Sequence, residues 1–223
     1  MIRVFIGYDE DEIAAYHVLA NSIIRHASQP VSIAPVAIHL VPLTRGGDAK
    51  QSTSFAFSRF LVPYLCDFEG WAIWMDADML CRTDIARLWS QRDKNKAVQV
   101  VPIDYRPENG TKFLGRPQSA YPELETGQTR KLWSAMMLMN CGKCAKLTPE
   151  YVNQAAGLDL HQFKWLDDHQ IGYLPARWQH VAGVQNYRSD ASLVHWTLGG
   201  PWWPEYVTAD YAGEWRAEWS RLK

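Results

Sequence analysis

Along this chain, apolar runs of strand length alternate with stretches whose apolar residues recur at helical spacing. Residues 2–7, IRVFIG, form the first run and end in Gly7-Tyr8-Asp9, which reads as a turn. Asp9 or Glu10 then opens a helix reaching about Arg25, with Ile13, Tyr16, His17, Ala20 and Ile24 at helical spacing. His17 on that apolar face is expected to be a satisfied core side chain. Residues 31–41, VSIAPVAIHLV, read as a second strand, and Pro35 marks it as an edge or bulged strand. A polar loop rich in Gly, Ser and Thr follows. Residues 55–65 then read as a helix packed under the sheet and shortened by Pro63, with Arg59 embedded in it and in need of an anion or a carboxylate.

Residues 71–80, WAIWMDADML, carry the sharpest change of character, an apolar run broken by Asp76 and Asp78. A strand ending near Met75 places both carboxylates just beyond it and aims them to one side. Ligands of an open α/β sheet gather at the carboxyl ends of strands, and two hard oxygen ligands suit a divalent cation. The bland alternative is a turn or a cap, but Asp84 is better placed to cap the helix that starts at Ile85 and runs to about Trp89. Residues 97–103 read as another buried strand, with Asp104 after it. Strands alternating with helices imply an α/β fold with a mainly parallel sheet.

The second half begins with a long polar stretch, 105–131, punctuated by Pro and Gly, and loops of that length are usually functional or mobile. Residues 134–140 read as a strand whose Met136, Met137 and Met139, with Met75, are core filler. Residues 148–156 read as a helix capped by Thr148 with Pro149 in its first turn. Asp167, Asp168 and His169 are consecutive, so they do not face one another and make no metal site by themselves. A short strand at 192–196 ends near His195 and is followed by Gly199-Gly200-Pro201-Trp202, where two glycines would let a backbone approach a ligand. Tyr211, Trp215, Trp219 and Leu222 predict a terminal helix docked on the domain. As a membrane stripe it is poor in basic residues, so packing is its expected role and peripheral membrane contact at most a weak one.

Composition adds little to this pattern but excludes several classes. No linker, repeat or low-complexity tract divides residues 1–223, which are expected to form one domain. A net charge of -1 without runs of either sign leaves no footprint for nucleic acid. The N-terminus is neither a signal peptide nor a spanning helix, so no transmembrane segment and a cytoplasmic location are expected. Cys141 and Cys144 form a C-x-x-C without a second pair, and with Cys66 and Cys81 they read as reduced structural thiols. The eleven tryptophans supply either core bulk or platforms for sugar faces.

In combination, these features carry more than any one of them alone. A first strand ending in Gly7-Tyr8-Asp9, the D-x-D of Asp76, Ala77 and Asp78, Arg59 before it, and a late His195 ahead of GGPW together resemble glycosyltransferase family 8 and its relatives. The resemblance runs through nearly the whole chain. It implies a GT-A fold, a Rossmann-like sheet flanked by helices in a single glycosyltransferase domain. It implies metal-dependent, retaining transfer of a sugar from a nucleotide-sugar, with a UDP-sugar as the expected donor, to a glycan or other hydroxyl acceptor. Asp76, Asp78 and His195 are the implied ligands of Mn2+ or Mg2+. The implied nucleotide-sugar contacts are Tyr8, Asp9, Arg59, Asp76, Ala77 and Lys131, and the implied active-site carboxylate is Asp168, with Asp104 as a second candidate. One departure concerns the diphosphate: HWTLGGPW is one residue shorter than the family's usual end motif and has Gly200 in place of its lysine. Lys131, Lys112 or the amides of Gly199 and Gly200 would then hold the phosphates.

Two other classes compete with this reading. A nucleotidyltransferase would carry a glycine-rich basic loop after the first strand, where this chain has the acidic GYDEDE. A glycan-binding protein would use the tryptophans, leave the acidic pair structural, and bind free sugar without metal.

Overall fold

Ile2, Val4 and Ile6 are at most 1% exposed and alternate with half-buried Arg3 and Phe5, which is the period-two pattern of a strand that fills the core from one face. This strand, β1 (Ile2–Tyr8), lies near one side of the sheet in the computed structural model, which describes residues 1–45 and 52–222. Along the chain it is followed by α1 (Ile13–His26), β2 (Val31–Ala37), α2 (Val62–Leu65), β3 (Trp71–Met75), β4 (Met79–Cys81), α3 (Ala86–Trp89) and β5 (Val98–Val100). Then come β6 (Met136–Asn140), α4 (Pro149–Gln154), α5 (Gly157–His161), β7 (Ile171–Tyr173), β8 (His180–Val181), β9 (Leu193–His195) and α6 (Ala212–Ser220).

Among the described residues six strands form the main sheet in the order β2-β1-β3-β6-β5-β7, and β4, β9 and β8 form a second, smaller sheet. β2 is an edge strand, where Pro35 has no second neighbour to deprive of a hydrogen bond. β1 pairs in parallel with β2 and β3, and β5 with β7, but β6 runs antiparallel to both of its neighbours. The reason lies in the connection. The segment between β5 and β6 holds no crossover helix that would return the chain to the start of a parallel strand.

Several boundaries differ from expectation. Residues 55–65 are a 3-10 turn, Ser58–Leu61, running into the short α2 with Pro63 near its start. The strand expected at 97–103 is only β5 long, and the polar loop expected after residue 41 lies partly outside the described residues. In α1 the buried face is Ala15, Val18, Leu19, Ser22 and Ile23, while His17, Ile13 and Ile24 are exposed. Both sides of this helix are apolar enough to read as the core stripe, and packing against β4 and α6 selects the second one. Thr148 caps α4 by accepting a hydrogen bond from the Tyr151 amide at 3.2 Å, and Asp84 receives the Ala86 amide at 2.9 Å.

The main apolar core surrounds the large sheet and includes Met75, Met136, Met137 and Met139, all fully buried. A second cluster joins Val18, Leu80, Val194, Trp196, Tyr211 and Trp215 under the small sheet. Tyr211, Trp215 and Trp219 of the expected stripe are therefore spent on packing, while Leu222 is exposed beyond α6, and none of the described helices is long and apolar enough to cross a membrane. Trp74, Trp133, Trp178 and Trp196 are also buried, so tryptophan serves mainly as core bulk here. All four cysteines are buried free thiols.

Candidate metal centre

β3 ends at Met75, and the chain turns through Asp76-Ala77-Asp78 before β4 begins. Ala77 is fully buried, and the Asp76 amide donates to the Ala135 carbonyl at 2.9 Å, which pins the turn to the start of β6. On the other side β4 pairs with β9, Met79 opposite His195, and the Trp196 amide donates to the Asp78 carbonyl at 2.9 Å. Two sheets thus bring residues 76–78 and 195 together. One ligand atom from each of Asp76, Asp78 and His195 lies within 4.8 Å of the others.

The two carboxylates differ in their surroundings. Asp76 accepts hydrogen bonds from Trp74 Nε1 at 2.9 Å and from the Arg59 guanidinium, whose ion pair with it is 3.0 Å long. Burial still pushes the Asp76 carboxyl above its ordinary value, outweighing Arg59. At Asp78 burial also pushes upward, but the adjacent His195 imidazole prevails and holds the carboxyl below its ordinary value. His195 Nε2 stands 3.3 Å from Asp78 Oδ1, yet that oxygen has no aligned hydrogen-bond partner. A buried carboxylate oxygen without a partner, beside a second carboxylate and an imidazole, fits a divalent cation of the Mn2+ or Mg2+ kind.

The trio opens into a cavity also lined by Arg59, Lys112 and Lys131. Arg59 is held rigidly, donating to the Ala56 carbonyl at 3.0 Å and to the Ser134 carbonyl at 2.9 Å. Neither lysine forms an ion pair among the described residues. Burial lowers the Lys131 ammonium to about 8, and its Nζ lies 4.3 Å from the centroid of the Tyr121 ring. Lys112 is lowered too, chiefly by burial, with Asp78 and Glu12 pulling the other way. Two unpaired ammonium groups in one cavity call for an anion.

Tyr8 and Asp9 line a different hollow, with Ala37, His39 and Ser54. The Asp9 carboxylate receives the Asp11 amide at 3.1 Å and the Ser54 amide at 2.8 Å, so it acts first as a cap and a loop tie. Gly7 is required by Phe55, whose ring would lie 2.5 Å from an added Cβ.

Other expected residues stand apart from the trio. Asp168 opens a 3-10 turn, Asp168–Gln170, on the surface; its side chain is 61% exposed and pairs with Arg130 at 2.5 Å. Asp104 is 78% exposed, lies 3.4 Å from Arg106, and lines a hollow with Trp133. Neither lines the cavity of the trio. Gly199 and Gly200 do not line it either. A Cβ on Gly200 would sit 2.0 Å from the Trp202 ring and one on Gly199 2.5 Å from Tyr206, so the missing side chains make room for aromatic rings.

Sequence reasoning passed over Glu12, His161, Tyr121 and Ser134. Glu12 is 2% exposed with neither carboxylate oxygen partnered, and burial together with Asp78 raises its carboxyl well above the ordinary value. In the sequence it is one of several acidic residues at a helix start, where capping was the natural reading. Nothing local distinguishes His161.

No family model matches the chain. Over 229 aligned residues it is 38% identical to Protein CDI of Arabidopsis thaliana, covering 97% of the chain and 85% of that protein. The chain belongs to the Protein CDI family. Solved structures extend the likeness to the fold of this family. The apo structure of the bifunctional glycosyltransferase WbbM superposes with a TM-score of 0.71 at 14% identity, over 98% of the chain and 49% of WbbM. The chain thus spans about half of WbbM. The galactosyltransferase LgtC, solved with donor and acceptor sugar analogs, gives a TM-score of 0.63 at 14% identity over 99% of the chain and 96% of LgtC. The glycosyltransferase GlyE of Streptococcus pneumoniae TIGR4 gives 0.64 at 13% identity, over 100% of the chain and 63% of GlyE. The fold is the GT-A type of glycosyltransferases, a mixed α/β sheet flanked by helices.

Proposed function

We propose that the protein is a metal-dependent glycosyltransferase that takes a sugar from a UDP-sugar and passes it to a hydroxyl acceptor such as a glycan. One observation carries the reading. A trio fit for a divalent cation, Asp76, Asp78 and His195, opens into a cavity that also holds Arg59 and two unpaired lysines. The fold supports it.

A bound cation there would act as a Lewis acid on the diphosphate leaving group. The chain's own residues supply the rest. Lys112 and Lys131 take the phosphate oxygens and stand in for the lysine missing at Gly200. Arg59 fixes Asp76 in position, and Tyr8 and Asp9 offer the neighbouring hollow to the nucleoside. The likeness to family 8 adds retention of configuration. Among the described residues the carboxylates lining the cavity are Asp76 and Asp78, both committed to the metal. A covalent route has no separate nucleophile there, which favours a front-face displacement in which the leaving phosphate assists the acceptor.

The test is release of nucleoside diphosphate from a panel of sugar donors in the presence of manganese. Asp78→Asn is expected to lower turnover by at least about 100-fold, the scale of a lost group that stabilises developing charge. Equal activity in that variant sinks the reading.

A further inference from the structure

Away from the metal, the same cavity holds a buried side chain with no task in the scheme above. His161 closes α5, is 5% exposed, and lines the cavity. Its Nδ1 lies 2.8 Å from Ser134 Oγ, and its ring packs among Phe60, Phe57 and Tyr121 at centroid distances of 5.2, 5.9 and 6.1 Å. Arg59, which also holds Asp76, grips the backbone carbonyl of Ser134 and so anchors this residue beside the metal side, while the Ser134 hydroxyl fixes the orientation of the imidazole. Nε2 at the far side of the ring has no partner.

The charged groups that face His161 are Arg59, Lys131 and Arg45, all cationic, and with burial they hold the ring well below its ordinary value. The imidazole is neutral. A neutral ring with one nitrogen engaged by a hydroxyl offers a single hydrogen bond at the other, either an N–H or a lone pair. That matches one hydroxyl group, whereas a phosphate is better served by the two lysines and the metal. The Tyr121 ring beside it supplies an apolar face for the C–H groups of a sugar ring.

We propose that His161 reads one hydroxyl of the transferred sugar through Nε2 and so sets which sugar the site accepts. This rests on the glycosyltransferase reading above. His161 is a specificity residue, and Ser134 is the residue that positions it.

The experiment compares calorimetric affinities, with manganese, for UDP, a panel of UDP-sugars and their singly deoxygenated analogues. The wild type is expected to bind its preferred UDP-sugar about 10- to 100-fold more tightly than the analogue lacking the hydroxyl that His161 reads, the size expected when a buried polar group is left unpaired. H161F, which keeps a planar ring, is expected to lose that discrimination while binding UDP within about twofold of wild type; H161Q should recover part of it. Unchanged discrimination in H161F overturns the inference, as does a fall in UDP affinity that matches the fall for the sugar donor. If H161F does not fold, S134A keeps the imidazole but frees its ring, and unchanged discrimination there overturns the inference equally. Failure of the wild type to bind UDP with manganese is a different result, because it removes the glycosyltransferase reading itself.

Discussion

Asp76 and Asp78 are two residues apart yet have different electrostatic partners, and the contrast shows what a single residue's neighbours decide. Asp76 is paired with Arg59, whereas Asp78 has His195 and an oxygen left over. The D-x-D itself was legible because a strand and two carboxylates are local features. The pairing of Asp78 with His195 was reached only through resemblance, since 117 residues of sequence separate them and it is strand pairing between β4 and β9 that closes the distance. Lys131 provides the pH test at this scale. Its folded value of about 8 lies below the roughly 10.4 of an unfolded lysine. Between those values the unfolded chain binds more protons, so the free protein gains stability from this group as pH rises through that window. An anion bound beside the ammonium reverses the preference. Affinity for UDP with metal is therefore expected to be full below about pH 8 and to fall above it. Calorimetry from about pH 7 to 9 checks this, and Lys131→Met should bind more weakly and flatten the slope; a slope that survives the substitution assigns it to another group.

At the scale of elements, the loop over the cavity is more ordered than its composition suggested. Within 105–131, residues 110–118 form a small closed turn: Gln118 N donates to Gly110 O at 2.8 Å and Lys112 N to Arg116 O at 2.8 Å. Three ties hold this turn down. The Phe113 ring stacks on Trp203 at 4.8 Å, Arg116 pairs with Asp11 and donates to the Ser52 carbonyl at 2.6 Å, and Tyr105 Oη donates to Gln118 at 2.9 Å. Polarity and punctuation mark a long loop but not these ties, because those to Trp203, Asp11 and Ser52 join residues far apart in sequence. The alternating strands and helices were legible for the same local reasons as the D-x-D; the antiparallel β6 was not, since direction depends on what the loop lacks. As the turn delivers Lys112 to the cavity, loosening it should expose the trypsin site after Lys112, the bond between Arg116 and Pro117 being resistant. Phe113→Ala is expected to speed cleavage there several-fold, and UDP with manganese to slow it in the wild type. Equal cleavage rates with and without ligand would rule out this turn as a cover that closes on the nucleotide.

For the whole molecule, the trio is a junction between its two sheets. Asp76 follows a strand of the large sheet, Asp78 and His195 flank the pairing of the small one, and α1 packs against both sheets. In the unfolded chain these residues are scattered, so a ligand that needs all three binds only the folded state. Free ligand at about 100 times its dissociation constant then adds about 2.7 kcal/mol. For a chain of this length each kcal/mol raises the melting temperature by roughly 2–4 °C, so UDP with manganese at that concentration should raise it by about 5–11 °C. Chelation of the metal should remove most of the gain, because the nucleotide alone then faces the two carboxylates of Asp76 and Asp78. Asp78→Asn should keep its own transition but lose the ligand-dependent rise. A rise of the same size in Asp78→Asn would place the ligand elsewhere in the molecule and leave the two-sheet junction as a purely structural seam.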